Sequence, residues 1–101
     1  MYTDRIFDAL ASAARRQMLR HLAQAEMTTS ELAARFPMSA PAVSRHLSVL
    51  ENAGLVASRR AGQRVLYALV RDSVIEALSG FAAELSTPVA AARARRGRDA
   101  V

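Results

Sequence analysis

Three groups of side chains in this 101-residue sequence have types and spacings that could do chemistry. The first surrounds Arg45. If Val43, Leu47 and Leu50 face a core, a rotation of about 100° per residue puts Pro41, Ala42, Arg45, Ser48 and Asn52 on the opposite side of the same helix. Small residues there let the backbone approach a major groove, and an arginine among them can reach guanine O6 and N7. The second group is Arg59, Arg60 and Arg64, which flank the tight segment Ala61-Gly62-Gln63. Guanidinium groups around a turn suit phosphates or a minor groove, although such charges also occur as plain solubilising groups. The third group holds the titratable residues that could bind a metal or act as a base: His21, His46, Asp72, Glu76 and Glu84. His21 has no His, Cys or carboxylate partner close in sequence. Ser44 and His46 are two apart and do not face each other on a helix.

Several chemistries are excluded. The chain has no Cys, so it has no thiolate metal site, thiol sensor or cysteine nucleophile. It shows no paired-carboxylate motif, no glycine-rich phosphate loop and no Ser/His/Asp set in a recognisable context, so no enzyme activity is expected. No apolar run reaches the roughly 18 residues of a membrane span, and no signal peptide is expected. The composition suits the cytoplasm.

Charge is concentrated. All 14 basic residues are Arg, against 9 acids, for a net charge of +5. Residues 39–71 hold five arginines and one acid, residues 72–88 no arginine and three acids, and residues 89–101 four arginines and one acid. A basic block of this kind suggests a polyanion partner. The hydrophobic content of 51% overstates the core, because 22 residues are Ala. A domain this small has little core to spare, and a partner subunit would help it.

The elements that must position these groups can be read from periodicity and caps. A short helix is expected over 3–11, with Ile6, Phe7 and Leu10 on one side. Ser12 caps a second helix to about Ala25, which carries Arg15, Arg16 and Arg20 away from its apolar side. Thr28 and Glu31 form a capping box that opens a third helix over 29–36, and Pro37 ends it. Ser39 and Pro41 begin a fourth helix to about Ala53, after which Gly54 can take a left-handed C′ conformation. The period then changes to about 2, giving strands at 55–60 and 64–70 joined as a hairpin. A last helix spans 72–86, with Val74, Ile75, Leu78, Phe81, Ala82 and Leu85 as a wide apolar stripe, and Pro88 ends it. The expected division is a domain over 1–87 and a basic Ala/Arg-rich tail over 88–101. Arg93, Arg95, Arg96 and Arg98 of that tail either add nonspecific DNA affinity or do nothing specific. The fold class is mainly α with a small β-hairpin, in the order α-α-α-α-β-β-α.

Two closely joined helices followed by an Arg-rich hairpin is the order of a winged helix-turn-helix. The run from Met38 to Val56, MSAPAVSRHLSVLENAGLV, resembles the recognition-helix signature of ArsR/SmtB-type winged helix-turn-helix repressors. So do Phe7-Asp8-Ala9-Leu10-Ala11-Ser12 with Ala14-Arg15-Arg16, and Gly62 to Leu69. The resemblance covers about residues 4–86. It implies a homodimeric repressor that binds double-stranded DNA. The implied DNA-contacting set is Ser39, Ala40, Pro41, Ala42, Ser44, Arg45, His46 and Ser48 of the recognition helix and Arg59, Arg60, Gln63 and Arg64 of the wing. It also implies a dimer interface built from the first and last helices: Ile6, Phe7 and Leu10 with Val74, Ile75, Leu78, Phe81, Ala82 and Leu85. Metal-sensing relatives place a Cys-x-Cys pair where this chain has Thr28-Thr29-Ser30, and they can use Asp and His on the last helix, where this chain has Asp72, Glu76 and Glu84 but no His. No metal and no cofactor are expected, and the effector is unknown. A winged-helix module that binds protein, or a regulator that responds to an organic ligand, are the alternative readings.

Overall fold

The structure is a computed structural model that describes residues 2–86, with side chains from Asp4 onward. The chain runs α1 (Tyr2–Leu10), α2 (Ala13–Leu22), α3 (Thr29–Ala33), α4 (Ala40–Asn52), β1 (Val56–Ala61), β2 (Arg64–Leu69) and α5 (Arg71–Leu85). The order is the expected one. The boundary at 87, Pro88 and the arginines of the 88–101 tail lie outside the described residues.

Local chemistry starts three of the helices. The Ser12 hydroxyl accepts from the Arg15 N–H at 3.2 Å, and Ser39 accepts from the Ala42 N–H at 3.3 Å. Thr28 and Glu31 form the expected reciprocal box, at 3.1 and 2.9 Å. The end of α4 is a Schellman motif. Gly54 has φ +77°, its N–H donates to the Glu51 carbonyl, and the Leu55 N–H reaches back to the Leu50 carbonyl at 2.9 Å. That bond holds Leu55 to the helix end, so β1 begins at Val56, one residue later than expected.

Two helices are shorter than their sequences suggest. α2 stops at Leu22 rather than near Ala25, although Ala-Gln-Ala would continue a helix readily. The cause is tertiary: Met27 makes a two-way backbone bridge with Tyr67, at 3.1 and 2.8 Å, and the chain must leave the helix to reach it. α3 stops at Ala33 rather than Phe36. Arg35 and Phe36 donate to carbonyls three residues back, which tightens the turn before Pro37.

β1 and β2 pair antiparallel, Val56 opposite Leu69 and Ala61 opposite Arg64. Only Gly62-Gln63 lies between them. Gly62 has φ +66° while Gln63 has negative φ, the pattern of a type II′ turn, whose twist matches that of the strands. The core lies where α1, α2, α3, α4 and the base of the hairpin meet. Met18, Leu32, Val43, Leu47, Leu50 and Leu55 are its largest fully buried side chains. Ile6 belongs there too, at 3% exposed. It therefore drops out of the expected dimer face: α1 buries it in its own protomer, because the helix is short and needs an anchor on α2 and α4.

Candidate nucleic-acid interface

α4 is anchored by its inner face, since Val43, Leu47 and Leu50 are all fully buried. With those positions fixed, helical geometry leaves Ser39, Ala40, Pro41, Arg45 and Ser48 exposed and Ala42, Ser44 and His46 half-buried on the flanks. Of the expected contact residues on α4, five are thus exposed and three only partly so. Ser39 also serves as the helix cap. Arg45 has no carboxylate partner among the described residues.

His46 is held by a contact that sequence reading did not find. Arg15 Nη1 donates to His46 Nδ1 at 3.3 Å, while Arg15 Nε and Nη2 donate to the Ala9 and Asp8 carbonyls at 2.7 and 3.1 Å. Arg16 donates to the Leu10 carbonyl at 2.7 Å. These two arginines donate to carbonyls at the negative dipole end of α1, and Arg15 carries that link on to α4. A guanidinium has donors only, so in this contact Nδ1 offers its lone pair. The sequence signal was an arginine pair just past a helix end, but its reach to residue 46 depends on packing.

The wing arginines do not act as one group. The strand register puts Arg59 and Arg64 on one face of the hairpin, with Leu66, and puts Arg60 on the other, opposite Val65. Arg59 forks onto Glu26, Nε to Oε1 at 3.3 Å and Nη2 to Oε2 at 2.6 Å. Arg64 Nη2 bonds Glu31 Oε1 at 2.9 Å. The hydrogen bond from Arg59 holds the Glu26 carboxyl below its usual range and raises Arg59 in turn. The Thr28 backbone and side chain, helped by Arg64, do the same for Glu31. Arg60 and Gln63 remain exposed, and Arg60 has no carboxylate partner among the described residues. Glu26 and Glu31 are thus site residues that the sequence reading missed or took only as a cap. The Arg–Glu separation of 33 residues leaves no local signal.

Between the start of α3 and the wing tip lies a cleft of about 480 Å³ lined by Thr28, Thr29, Ser30, Glu31, Gln63, Arg64 and Val65. The cleft takes in the Thr28-Thr29-Ser30 segment. Here it offers hydroxyls and a carboxylate already engaged by Arg64, a poor donor set for a soft or borderline metal. Among the described residues no three His, Cys, Asp or Glu side chains converge.

A second surface, on α5, is apolar. Ile75, Leu78, Phe81 and Leu85 are 53, 47, 45 and 70% exposed, and α5 has no buried residue at all. Phe7 meets Phe81 edge-on, with ring centroids 5.1 Å apart, which joins the α1 and α5 sides into one surface. Leu10, Val74 and Ala77 are partly buried against the core beneath it. Ala82 is exposed on it. No helix among the described residues is long and apolar enough to cross a membrane.

Comparison with known proteins agrees with this architecture. Residues 12–58 match the family model for bacterial regulatory proteins of the arsR family. The chain is 47% identical over 66 residues to the HTH-type transcriptional regulator Rv2034 of Mycobacterium tuberculosis; the match covers 65% of this chain and 62% of that protein. It is 33% identical over 73 residues to the transcriptional repressor SdpR of Bacillus subtilis, covering 68% and 81% respectively. The chain thus spans less than two-thirds of the first relative. Among solved structures, the homodimeric winged helix-turn-helix DNA-binding domain Mb0332 of Mycobacterium bovis superposes with a TM-score of 0.70 at 33% identity, covering 82% of this chain and 79% of that one.

Proposed function

The chain belongs to the ArsR family of bacterial regulatory proteins, and from that premise we propose that it is a homodimeric, sequence-specific transcriptional repressor. The observation that carries the proposal is the exposed face of α4. Three fully buried side chains fix that helix, and Arg45 on its outer side has no carboxylate partner among the described residues. Arg45 reads a guanine edge in the major groove, and Pro41, Ala42, Ser44 and Ser48 let the backbone come close. Arg60 and Gln63 of the wing meet the adjacent backbone, which positions the protein without reading sequence.

A second copy covers the α1/α5 surface. Four large apolar side chains about half or more exposed make an unusual surface for a lone protomer, and a homodimeric relative with the same fold supports the pairing. Two-fold symmetry then gives an inverted-repeat operator with half-sites about one helical turn, ~34 Å, apart or slightly more. With no cysteine, the protein does not use thiolate metal or thiol-oxidation switching. Its place of action is the cytoplasm, where its DNA is.

The direct test is an electrophoretic shift with the DNA upstream of its own gene, followed by footprinting. The expected result is a shift that weakens steeply with salt and a footprint with two-fold symmetry. Absence of any salt-sensitive shift at roughly micromolar protein would overturn the proposal in favour of a winged helix that docks on protein.

A further inference from the structure

We infer that Glu26 and Glu31 set the strength of DNA binding by occupying two wing arginines that backbone phosphates would otherwise take. The inference rests on the DNA-binding reading above and adds to it which residues oppose binding.

Arg59 and Arg64 share one face of the hairpin, and each meets a single carboxylate, at 2.6 and 2.9 Å. The carboxylates are held in place by more than these pairs. Glu26 precedes Met27, whose backbone is bonded both ways to Tyr67 of β2. Glu31 also accepts the Thr28 N–H of the capping box at 2.9 Å. The Glu26–Arg59 contact uses two guanidinium nitrogens on two carboxylate oxygens, a fork that a phosphate accepts equally well. Both pairs remain open to solvent, with side chains 41–60% exposed. Exposed pairs of this kind contribute little to stability, so a denser anion can displace them. Beside Arg64, the cleft bounded by Thr29, Ser30 and Gln63 leaves room for a phosphodiester. Both carboxyls are charged at neutral pH, as carboxylates ordinarily are, so each competes for its arginine as an anion. Each handover exchanges a carboxylate for a phosphate. Arg60, on the other face, needs no such exchange.

Glu26→Gln and Glu31→Gln test this, since each removes the charge at constant size and Gln still completes a capping box. Affinity is read by anisotropy on a mixed-sequence duplex of about 30 base pairs, long enough for two half-sites, over a salt series. Each variant is expected to bind roughly two- to fivefold tighter at moderate salt, the strength of one exposed pair. The slope of log K against log salt should steepen by about 0.9 for each arginine that the wild-type complex leaves on its carboxylate, and stay unchanged for each one already handed over. In an Arg59→Ala background the gain from Glu26→Gln should vanish. Equal or weaker binding by both variants overturns the inference while leaving DNA binding intact. So does a Glu26→Gln gain that survives loss of Arg59, because general charge would then explain it. If the wild type shows no salt-dependent binding at roughly 100 µM, the upper end of nonspecific dissociation constants, the DNA-binding reading fails with it.

Discussion

α4 and α5 are both amphipathic helices of similar length, 13 and 15 residues, yet they end up in opposite situations. α4 sinks Val43, Leu47 and Leu50 into the core and leaves a mainly polar face free, with Val49 37% exposed. α5 buries no residue fully and leaves Ile75, Leu78, Phe81 and Leu85 outside. The reason is position. α4 is boxed in by α1, α2, α3 and β1, whereas α5 touches the rest of the described chain chiefly at α1. An amphipathic pattern states that a face must be covered, but it does not state by which chain. For α4 the side left exposed is mainly polar. For α5 the apolar side itself is left largely uncovered.

The contrast can be broken most severely at Leu47, the fully buried centre of α4. Leu47→Ala should cost about 2–5 kcal/mol and remove much of the cooperative thermal transition. An equal loss from Leu78→Ala would erase the distinction between the two helices. Next, Leu78→Asp or Leu85→Asp should leave the helical circular dichroism intact but shift sedimentation to a monomer. Affinity for a two-half-site duplex should then fall by roughly 10²- to 10⁴-fold, the usual gain from linked binding. Arg45→Ala should fold normally, lose about 1–3 kcal/mol on the preferred site and relax the choice at one base pair. If operator affinity were unchanged, the assigned outer face of α4 would be wrong. The smallest effect is at Gly80, where an added Cβ would meet nothing within 4 Å in the protomer. Gly80→Ala in the monomeric Leu85→Asp background should therefore stabilise α5 by about 0.5–1 kcal/mol. In the native background, loss of dimer stability instead would place Gly80 at the closest approach of the partner helix.

Local features of the sequence proved readable where the chemistry is local. Ser12, Thr28–Glu31 and Ser39 announced helix starts because caps act over three residues, and Gly54 announced a helix end because its left-handed φ suits glycine. Val43, Leu47 and Leu50 oriented α4, and with it Arg45, through the 3.6-residue period alone. Misjudged positions were those whose partner is distant. Ile6 reads as surface or core with equal ease until α2 and α4 enclose it. The three residues after Leu22 read as helix until Met27 is pulled onto Tyr67.

The sequence by itself determined the order of elements, the orientation of α4 about Val43, Leu47 and Leu50, the arginines of the hairpin and the lack of any cysteine in the chain. Each of these follows from periodicity, capping and composition. Only the tertiary structure decided that Arg15 links the end of α1 to His46, and that Arg60 stands apart from Arg59 and Arg64. It alone gave those two arginines to Glu26 and Glu31. Charge patterns along a chain carry sign and spacing, but an ion pair across 33 residues depends on the hairpin's register and the bridge at Met27, which exist only once the backbone has closed.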